Sequence, residues 1–288
     1  MIPWTYAHGI PAVPSGVVVR PMPRDTRVQH PCRVINVKSS LPRLDRPSLT
    51  IGIANLLARR TSWLDTELQT LPGLVRAGDV CVDVGSAAGL YSQALSHLAG
   101  PAGLVHTVEP LSFSHPVWSR VLAARGRPNV RHHAVALGAE PGRATMRVPF
   151  GPYGPATSRS FLAWKTHGLG SNAEYRDHVD MLVDVETLDG LCAGLARLDF
   201  VKIDVEGGEL HVLHGGERTV GTFLPTMLIE IEARHTARYE YSPDDVVEWL
   251  KCRGYAMYAW KHGWQAADRV CSHANNYLFR PPSTSRTA

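Results

Sequence analysis

The chain has 288 residues, 44% hydrophobic and 19% charged, a composition that predicts a globular protein with a sizeable core rather than a disordered one. Its net charge of +4 comes from scattered arginines, which argues against nucleic acid as a partner because such binding usually needs a concentrated basic patch. The five cysteines form no CxxC pair and no apolar window approaches about 18 residues, so we expect a reduced, cytoplasmic protein without a signal peptide, membrane span or zinc site.

The N-terminal part of the chain divides into two segments. Residues 1–48 are rich in proline, arginine and polar residues, which predicts an irregular N-terminal arm. This arm either covers the functional site or is a poorly ordered leader. Over residues 49–76 apolar side chains recur at spacings of three and four, which predicts a helical cap packed at the edge of the site.

The first informative stretch runs from Val80 through a glycine-containing turn into a helix. Residues 80–84 are apolar and mostly β-branched, which favours a buried parallel strand. Gly85 and Gly89 follow, and helical spacing then begins at Leu90. A glycine turn at a helix N-terminus lets a ligand approach the backbone closely, but many strand-to-helix turns carry two glycines.

A second apolar strand, Leu104 to Val108, is followed directly by Glu109-Pro110, about 25 residues after the first turn. In doubly wound sheets an acid at this place is positioned to bind both hydroxyls of a ribose. The two stretches together therefore predict a site for a nucleoside cofactor.

Strand and helix patterns alternate along the rest of the chain. Further strands are predicted at 130–137, 145–149, 181–185, 198–205, 225–231, 254–260 and 276–279. Helices are predicted at 116–125, 187–191, 209–220 and 242–251. Residues 151–160 hold two glycines and two prolines and form a loop long enough to serve as a lid. This order predicts an α/β fold with a parallel sheet whose last strand runs antiparallel, as in class I methyltransferases.

The second informative stretch places three charged residues on one face of an apolar strand: Lys202, Asp204 and Glu206. Such charges are costly unless they are paired or lie at the carboxyl edge of the sheet, where ligands bind. We expect Asp204 and Glu206 to point into the site and Lys202 to pair with one of them or with Asp83. The alternative is a structural ion pair, which suits Lys202 and Glu209 best.

The next strand ends in Glu230, so a further acid is expected at the same edge. Asp204 and Glu230 could bind a hard divalent cation such as Mg²⁺ through oxygen, or they could orient a substrate hydroxyl. Both interpretations stay open at the level of the sequence.

These motifs resemble the FkbM family of S-adenosylmethionine-dependent methyltransferases over residues 65–280. The resemblance leaves the N-terminal arm unexplained, and Ala87 stands where the family usually has asparagine. The matching segments are Asp83 to Gly89 (D-V-G-A-N-x-G in the family), Glu109-Pro110, Thr187-Leu188-Asp189, Lys202 to Glu209 (K-x-D-x-E-G-x-E) and Glu230.

The resemblance implies a Rossmann-like sheet of seven strands, mostly parallel with one antiparallel, with helices on both faces. The methyltransferase domain would span residues 77–281, followed by a frayed tail at 282–288. The implied cofactor is S-adenosylmethionine, and the implied reaction is methylation of a hydroxyl on a sugar, polyketide or other secondary metabolite. The expected cofactor-binding residues are Asp83, Gly85, Ser86, Gly89, Tyr91, Glu109, Pro110, Ala136 and Asp204, with Leu137 near the adenine.

An alcohol is a poor nucleophile at neutral pH, so a base or a metal should help to remove its proton. The predicted catalytic residues are Asp204, Glu206, Glu230, Lys202 and His235. Arg159 and Trp164 in the predicted lid either contact the acceptor or are exposed to solvent. His211 and His214 are interpreted as structural.

Two alternatives to a small-molecule O-methyltransferase remain at this stage. One is an RNA or protein methyltransferase, which the dispersed charge and the lack of an N-P-P-Y-like motif disfavour. The other is a non-catalytic nucleotide-binding module, which acids at four strand ends disfavour because buried charge costs stability. A homodimer is a further expectation.

Overall fold

The computed structural model describes residues 66–111, 128–151, 154–164, 166, 169–170, 172, 174–272 and 274–282. The predicted N-terminal arm, the cap up to residue 65, the helix at 116–125 and the tail beyond residue 282 lie outside the described residues.

The strands are numbered in chain order. They are β1 (Val80–Val84), β2 (Leu104–Val108), β3 (Val130–His133), β4 (Ala136–Leu137), β5 (Gly142–Gly151), β6 (Gly154–Pro155), β7 (Phe161–Leu162), β8 (Asp177–Glu186), β9 (Phe200–Ile203), β10 (Thr226–Glu230), β11 (Ala256–Trp260), β12 (Trp264–Ala267) and β13 (Asn276–Arg280).

The helices are numbered in chain order as well. The α-helices are α1 (Leu90–Ala99), α2 (Leu188–Leu191), α3 (Glu209–His214), α4 (Glu217–Phe223), α5 (Ala233–Thr236) and α6 (Pro243–Lys251). Among the described residues, two 3-10 helices span Thr66–Gly73 and Thr157–Arg159. The described part of the predicted cap is thus a 3-10 helix that contains Pro72.

The main sheet has the order β12-β11-β13-β10-β9-β1-β2-β3. Strands β3, β2, β1, β9 and β10 are parallel neighbours, and β13 inserts antiparallel between β10 and β11. This topology confirms the predicted α/β fold class. The prediction of seven strands with one antiparallel was wrong, because residues 264–267 turn back and pair antiparallel with β11 as an eighth strand. The turn between β11 and β12 contains two residues with positive φ, His262 and Gly263. This part of the sequence has no apolar pattern from which a strand could be predicted.

A second sheet, of order β4-β8-β5-β6 with β7 on β5, was not predicted. Its centre is the antiparallel ladder of β5 and β8, paired from Gly142–Val185 to Phe150–Asp177. The single strand predicted at 130–137 was wrong, because β3 pairs with β2 in the main sheet whereas β4 pairs with β8 in the second. A continuous local pattern thus hides a change of sheet.

The helix predicted over residues 209–220 is divided into α3 and α4 at Gly215-Gly216. A Cβ on Gly215 would lie 2.1 Å from the Gly138 carbonyl oxygen, so α3 ends where it meets the turn after β4. The predicted cap of α6 is present, since the Asp245 carboxylate accepts hydrogen bonds from the Ser242 amide at 2.6 Å and hydroxyl at 2.8 Å.

Helices pack on both faces of the main sheet, as predicted. One buried cluster joins Val82 and Ile203 of the sheet to Val212 of α3, and another joins Cys81 to Leu95 of α1. Neighbouring residues of β1 thus enter opposite cores, as strand alternation requires. In the described part of the chain, no helix combines the length and the apolar character needed to cross a bilayer.

Candidate functional site

The chain leaves β1 in one direction to build β2 and β3 and then returns to place β9 on the other side of β1. Parallel sheets bind ligands at the carboxyl ends of the strands beside such a switch point. A cavity of about 520 Å³ lies there, and its lining includes residues that follow β1, β2 and β9 together with Glu230 at the end of β10. Residues 154–164, here called the lid segment, contribute another part of the lining.

The turn after β1 is held by its backbone. Gly85 and Gly89 have φ angles of 76° and 75°, which glycine adopts readily. The amides of Gly85 and Ser86 both donate to the Val108 carbonyl oxygen, at 3.0 and 3.1 Å. Gly89 caps α1 and does not line the cavity, whereas Gly85, Ser86 and the next two residues do.

Ala87 has a positive φ of 43° although it carries a Cβ. This conformation favours glycine or asparagine, which gives a physical reason for the asparagine usual at this position in the resembling family. The Ala87 amide donates to Glu109 Oε2 at 3.0 Å. The turn is therefore connected to the acid that follows β2.

Both carboxylate oxygens of Glu109 are held in place by backbone amides. Besides the contact with Ala87, Glu109 Oε1 accepts from the Leu111 amide at 2.8 Å. Burial raises the pKa of Glu109 above its ordinary value, and these two hydrogen bonds oppose the shift. Each oxygen retains lone pairs for a ligand, and Glu109 and Pro110 both line the cavity.

One apolar part of the cavity lining comes from the second sheet. Ala136 and Leu137 of β4 are buried and line it, as do Met146 of β5 and Val185 of β8. The last two were missed by the sequence reasoning because the second sheet was not predicted. Together these side chains form an apolar surface suited to a flat heterocycle.

Beneath the turn lies a buried polar floor. Ser92 donates to Asp83 Oδ2 at 2.5 Å and lies 2.8 Å from the Thr107 hydroxyl. Burial raises the pKa of Asp83 to about 6, although Ser92 and the Lys202 ammonium oppose the shift. Asp83 and Lys202 are register partners on β1 and β9. Tyr91 also lines the cavity, with its ring centroid 5.1 Å from Lys202 Nζ.

Lys202 pairs with Asp204, which fits one of the pairings considered. Lys202 is 1% exposed, and its Nζ lies 3.4 Å from Asp204 Oδ2 and donates to Asn276 Oδ1 at 3.1 Å. Burial alone would raise the pKa of Asp204, but the Lys202 charge and a hydrogen bond with Glu230 hold it below the ordinary value. Asp204 is therefore an anionic hydrogen-bond acceptor in the cavity at neutral pH.

Asp204 is hydrogen-bonded to Glu230, which is also hydrogen-bonded to Glu232. Within the described residues, no group of three or more His, Cys, Asp or Glu is arranged to hold a metal ion. The Lys202 ammonium already supplies positive charge beside Asp204. The Mg²⁺ site predicted at Asp204 and Glu230 thus finds no support in this arrangement.

Glu206 lies beyond the end of β9, with a positive φ of 56°. The alternation assumed for residues 204–206 was wrong because the strand stops at Ile203, yet both Asp204 and Glu206 still line the cavity. Glu206 Oε1 lies 3.5 Å from an Arg159 nitrogen and Oε2 lies 3.1 Å from His235 Nε2. Burial, reinforced by Asp204, raises the pKa of Glu206 to about 8.

His235 is buried behind Glu206 and does not line the cavity. Burial lowers the pKa of His235 to about 4, so the imidazole is neutral at pH 7. The structure therefore places His235 where it can position Glu206 rather than where it could touch a bound acceptor.

Glu209 stabilises the loop that follows β9 through a hydrogen bond to its backbone. Its Oε1 accepts from the Gly207 amide at 2.9 Å, and Tyr241 donates to the Gly207 carbonyl oxygen. Burial raises the pKa of Glu209 to about 7. Glu209 does not line the cavity, and these contacts place it in the structural role considered for it.

The lid segment reaches the cavity through the 3-10 helix, β7 and Trp164. Arg159 lines the cavity, and Trp164 does so while remaining 44% exposed. His211, interpreted from sequence as structural, also lines it, with its ring 5.4 Å from that of Tyr239. Tyr239 was missed, because no local signal connects it to residues more than 70 positions earlier. Its hydroxyl donates to the Leu162 carbonyl oxygen at 2.8 Å.

The chain is similar to several solved structures at low sequence identity. An FkbM methyltransferase from Methylobacillus flagellatus KT is 18% identical, with a TM-score of 0.43 over 81% of this chain and 59% of that one. The chain thus spans about three fifths of that neighbour's length. An S-adenosylmethionine-dependent O-methyltransferase from Thermotoga maritima is 11% identical, with a TM-score of 0.41 over 81% of this chain and 72% of that one.

A third neighbour is the fibrillarin of Aeropyrum pernix, solved with natively bound S-adenosyl-L-methionine. It is 17% identical, with a TM-score of 0.39 over 74% of this chain and 72% of that one. No protein with a curated function matches the chain.

The family assignment comes from the sequence of the site-bearing domain rather than from these superpositions. The pattern that defines the methyltransferase FkbM domain matches residues 83–257, from the first acid of the glycine turn to β11. This match covers more than half of the chain and confirms the resemblance drawn from the motifs. The chain belongs to the methyltransferase FkbM domain family.

Proposed function

We propose that the chain transfers the methyl group of S-adenosylmethionine to a hydroxyl of a small-molecule acceptor. The observation that carries the proposal is the composition of one cavity. Its lining includes the Gly85 turn and Glu109 together with Asp204, Glu206 and Glu230. A nucleoside-binding region and an acidic region thus share one cavity.

The residues present fit the cofactor. Glu109, fixed by two amides but with lone pairs to spare, would hold the ribose hydroxyls. The turn at Gly85 and Ser86 would hold the methionine end, and the apolar surface around Ala136 and Leu137 would take the adenine. When bound, S-adenosylmethionine supplies an electrophilic methyl group on its sulfonium.

The acidic region of the cavity serves the acceptor. Asp204 would accept a hydrogen bond from the acceptor hydroxyl and so orient its oxygen lone pair toward the cofactor side. The hydroxyl proton becomes strongly acidic as the new C–O bond forms, so a carboxylate of low pKa is able to take it. Lys202 would keep Asp204 ionised and fixed for this task.

Glu206 is the second candidate for proton acceptor. With a pKa of about 8, it is ionised in only a minor fraction of molecules at pH 7. Glu230 is hydrogen-bonded to Asp204 and would adjust the basicity of that acid rather than act alone. His235 would act by positioning Glu206.

The size of the site favours a small acceptor over RNA or protein. A volume of about 520 Å³ lies within the range typical of small-molecule pockets. The lid segment contributes to the lining of this cavity. Sugars, polyketides and other hydroxylated secondary metabolites are the acceptor classes proposed.

Calorimetric titration with S-adenosylhomocysteine and transfer of a radiolabelled methyl group to hydroxylated acceptors test the proposal. We expect binding in the micromolar range and label in an ether product. Absence of binding at tens of micromolar would favour a non-catalytic nucleotide-binding module. Label recovered in added RNA or in protein instead would assign the chemistry to a different acceptor.

A further inference from the structure

Arg159 is held at the cavity by its backbone while its side chain is left available. Its carbonyl oxygen accepts from the Asn172 side-chain amide at 2.9 Å, and Asn172 is fully buried. The next two residues lead into β7, where Phe161 is 1% exposed and stacks against the Arg238 guanidinium at 3.9 Å. The Arg159 side chain is 36% exposed and lines the cavity.

The Arg159 guanidinium has more N–H donors than the described residues supply acceptors for. Its side-chain contact among the described residues is with Glu206, at a long N–O distance of 3.5 Å. A guanidinium presents five N–H donors in a fork that matches a carboxylate or a phosphate. Arg238, by contrast, uses its donors on the Glu206 carbonyl oxygen at 2.8 Å and on His235.

The carboxyl that pairs with Arg159 is that of Glu206, at 3.5 Å. Lys202 lies 3.4 Å from Asp204 and offsets the negative charge of that carboxylate. Burial raises the pKa of Glu206 to about 8, so this carboxyl is mostly neutral at pH 7. Asp83 lies on the floor beside Lys202, and Glu109 and exposed Glu140 belong to the nucleoside-binding region of the cavity.

We propose that Arg159 binds an oxyanion of the acceptor, so that the acceptor carries a carboxylate or a phosphate in addition to the hydroxyl that is methylated. This inference rests on the proposed function and names the acceptor class for the same site. Arg159 would determine specificity by pairing bidentately with that group, while Asp204 orients the hydroxyl.

The test titrates inorganic phosphate and, separately, acetate at pH 7 and constant ionic strength, with and without S-adenosylhomocysteine. The fluorescence of the tryptophans, including Trp164 in the lid segment, reports binding. We expect saturable binding that Arg159→Met weakens at least 10-fold and Arg159→Lys weakens less. The matched control is Arg143→Met, which removes an exposed arginine of β5 paired with Asp184 and should leave the anion affinity within 2-fold.

The two arms identify the source of the anion, since tighter phosphate binding indicates a phosphorylated alcohol and tighter acetate binding a hydroxy acid. Anion binding that is absent, or equal in the parent and Arg159→Met, overturns the inference. The titration without S-adenosylhomocysteine measures anion binding independently of the cofactor. A failure of S-adenosylhomocysteine to bind would therefore contradict the proposed function without contradicting this inference. If Arg159→Met binds S-adenosylhomocysteine with unchanged affinity, the variant is folded and its loss of affinity is specific to the anion.

Discussion

Gly85 lies directly against the main chain of Asp204: a Cβ built on Gly85 would lie 1.7 Å from the Asp204 carbonyl oxygen. The Asp204 amide in turn donates to the Val84 carbonyl oxygen at 3.0 Å. The turn proposed to bind the cofactor and the acid proposed to bind the acceptor are therefore packed backbone to backbone at the ends of β1 and β9. Such contact fixes the two halves of the site relative to each other without a side chain between them.

Asp204→Asn should lower turnover by about 100-fold or more, because the variant loses the anion that accepts the hydroxyl proton. S-adenosylhomocysteine affinity should stay within a few-fold, since the Gly85 contact involves the Asp204 backbone. Radiolabelled methyl transfer and calorimetry on one preparation measure both quantities. Activity equal to that of the parent would assign proton acceptance to another group.

Glu109→Ala should weaken cofactor binding by about 1–3 kcal/mol, because it removes charged hydrogen bonds to the ribose and releases the amides of Ala87 and Leu111. Calorimetry with S-adenosylhomocysteine measures the change. Glu217→Ala removes an exposed carboxylate of α4 that does not line the cavity, and this variant should bind as the parent does. Equal affinity in the two variants would remove Glu109 from the cofactor site.

Ala87→Asn should raise the free energy of unfolding by about 0.5–1 kcal/mol, because asparagine tolerates the positive φ of this position better than alanine does. Urea unfolding of the ligand-free protein measures the effect. Ala88→Asn is the matched control, since Ala88 is the next residue of the turn and has no positive φ. A gain of the same size in both variants would show that the conformation of Ala87 is not the cause.

Glu206→Gln should change how stability depends on pH. The Glu206 carboxyl keeps its proton in the folded chain up to a pKa of about 8, against an ordinary value of 4.5 in the unfolded chain. Between these values the folded state binds the extra proton, so the contribution of Glu206 to stability falls as pH rises and is constant above pH 8.

The variant lacks this titration. Its stability relative to the parent should therefore increase from about pH 4.5 to pH 8, on the order of 1 kcal/mol per pH unit. Denaturant unfolding at a series of pH values measures the difference. A stability difference that does not vary over this range would show that Glu206 titrates normally in the folded chain.

Features with a local physical cause could be predicted from the sequence. The apolar strand ending at Val84, the glycine turn and the Ser242 cap follow from strand alternation, backbone freedom and capping chemistry within a few residues. The order of strands and helices then restricts the sheet topology, because crossover connections between parallel strands are right-handed. The motif from Lys202 to Glu209 indicated the family, which the match over residues 83–257 confirms.

The remaining features depend on residues that lie far apart in the chain. Arg159 meets Glu206 across 47 positions, and Tyr239 reaches the lid segment across 77. Strand β4 pairs with β8 in the second sheet instead of continuing β3 of the main sheet. Strand β12 adds an eighth strand to the main sheet. Neither strand has a local pattern of its own. Local propensity sets what each segment can form, whereas the burial of shared surfaces decides which segments meet. For that reason the sequence determined the fold class and the acids at the strand ends, and only the tertiary structure decided which of them face the cavity and which groups lie beside them.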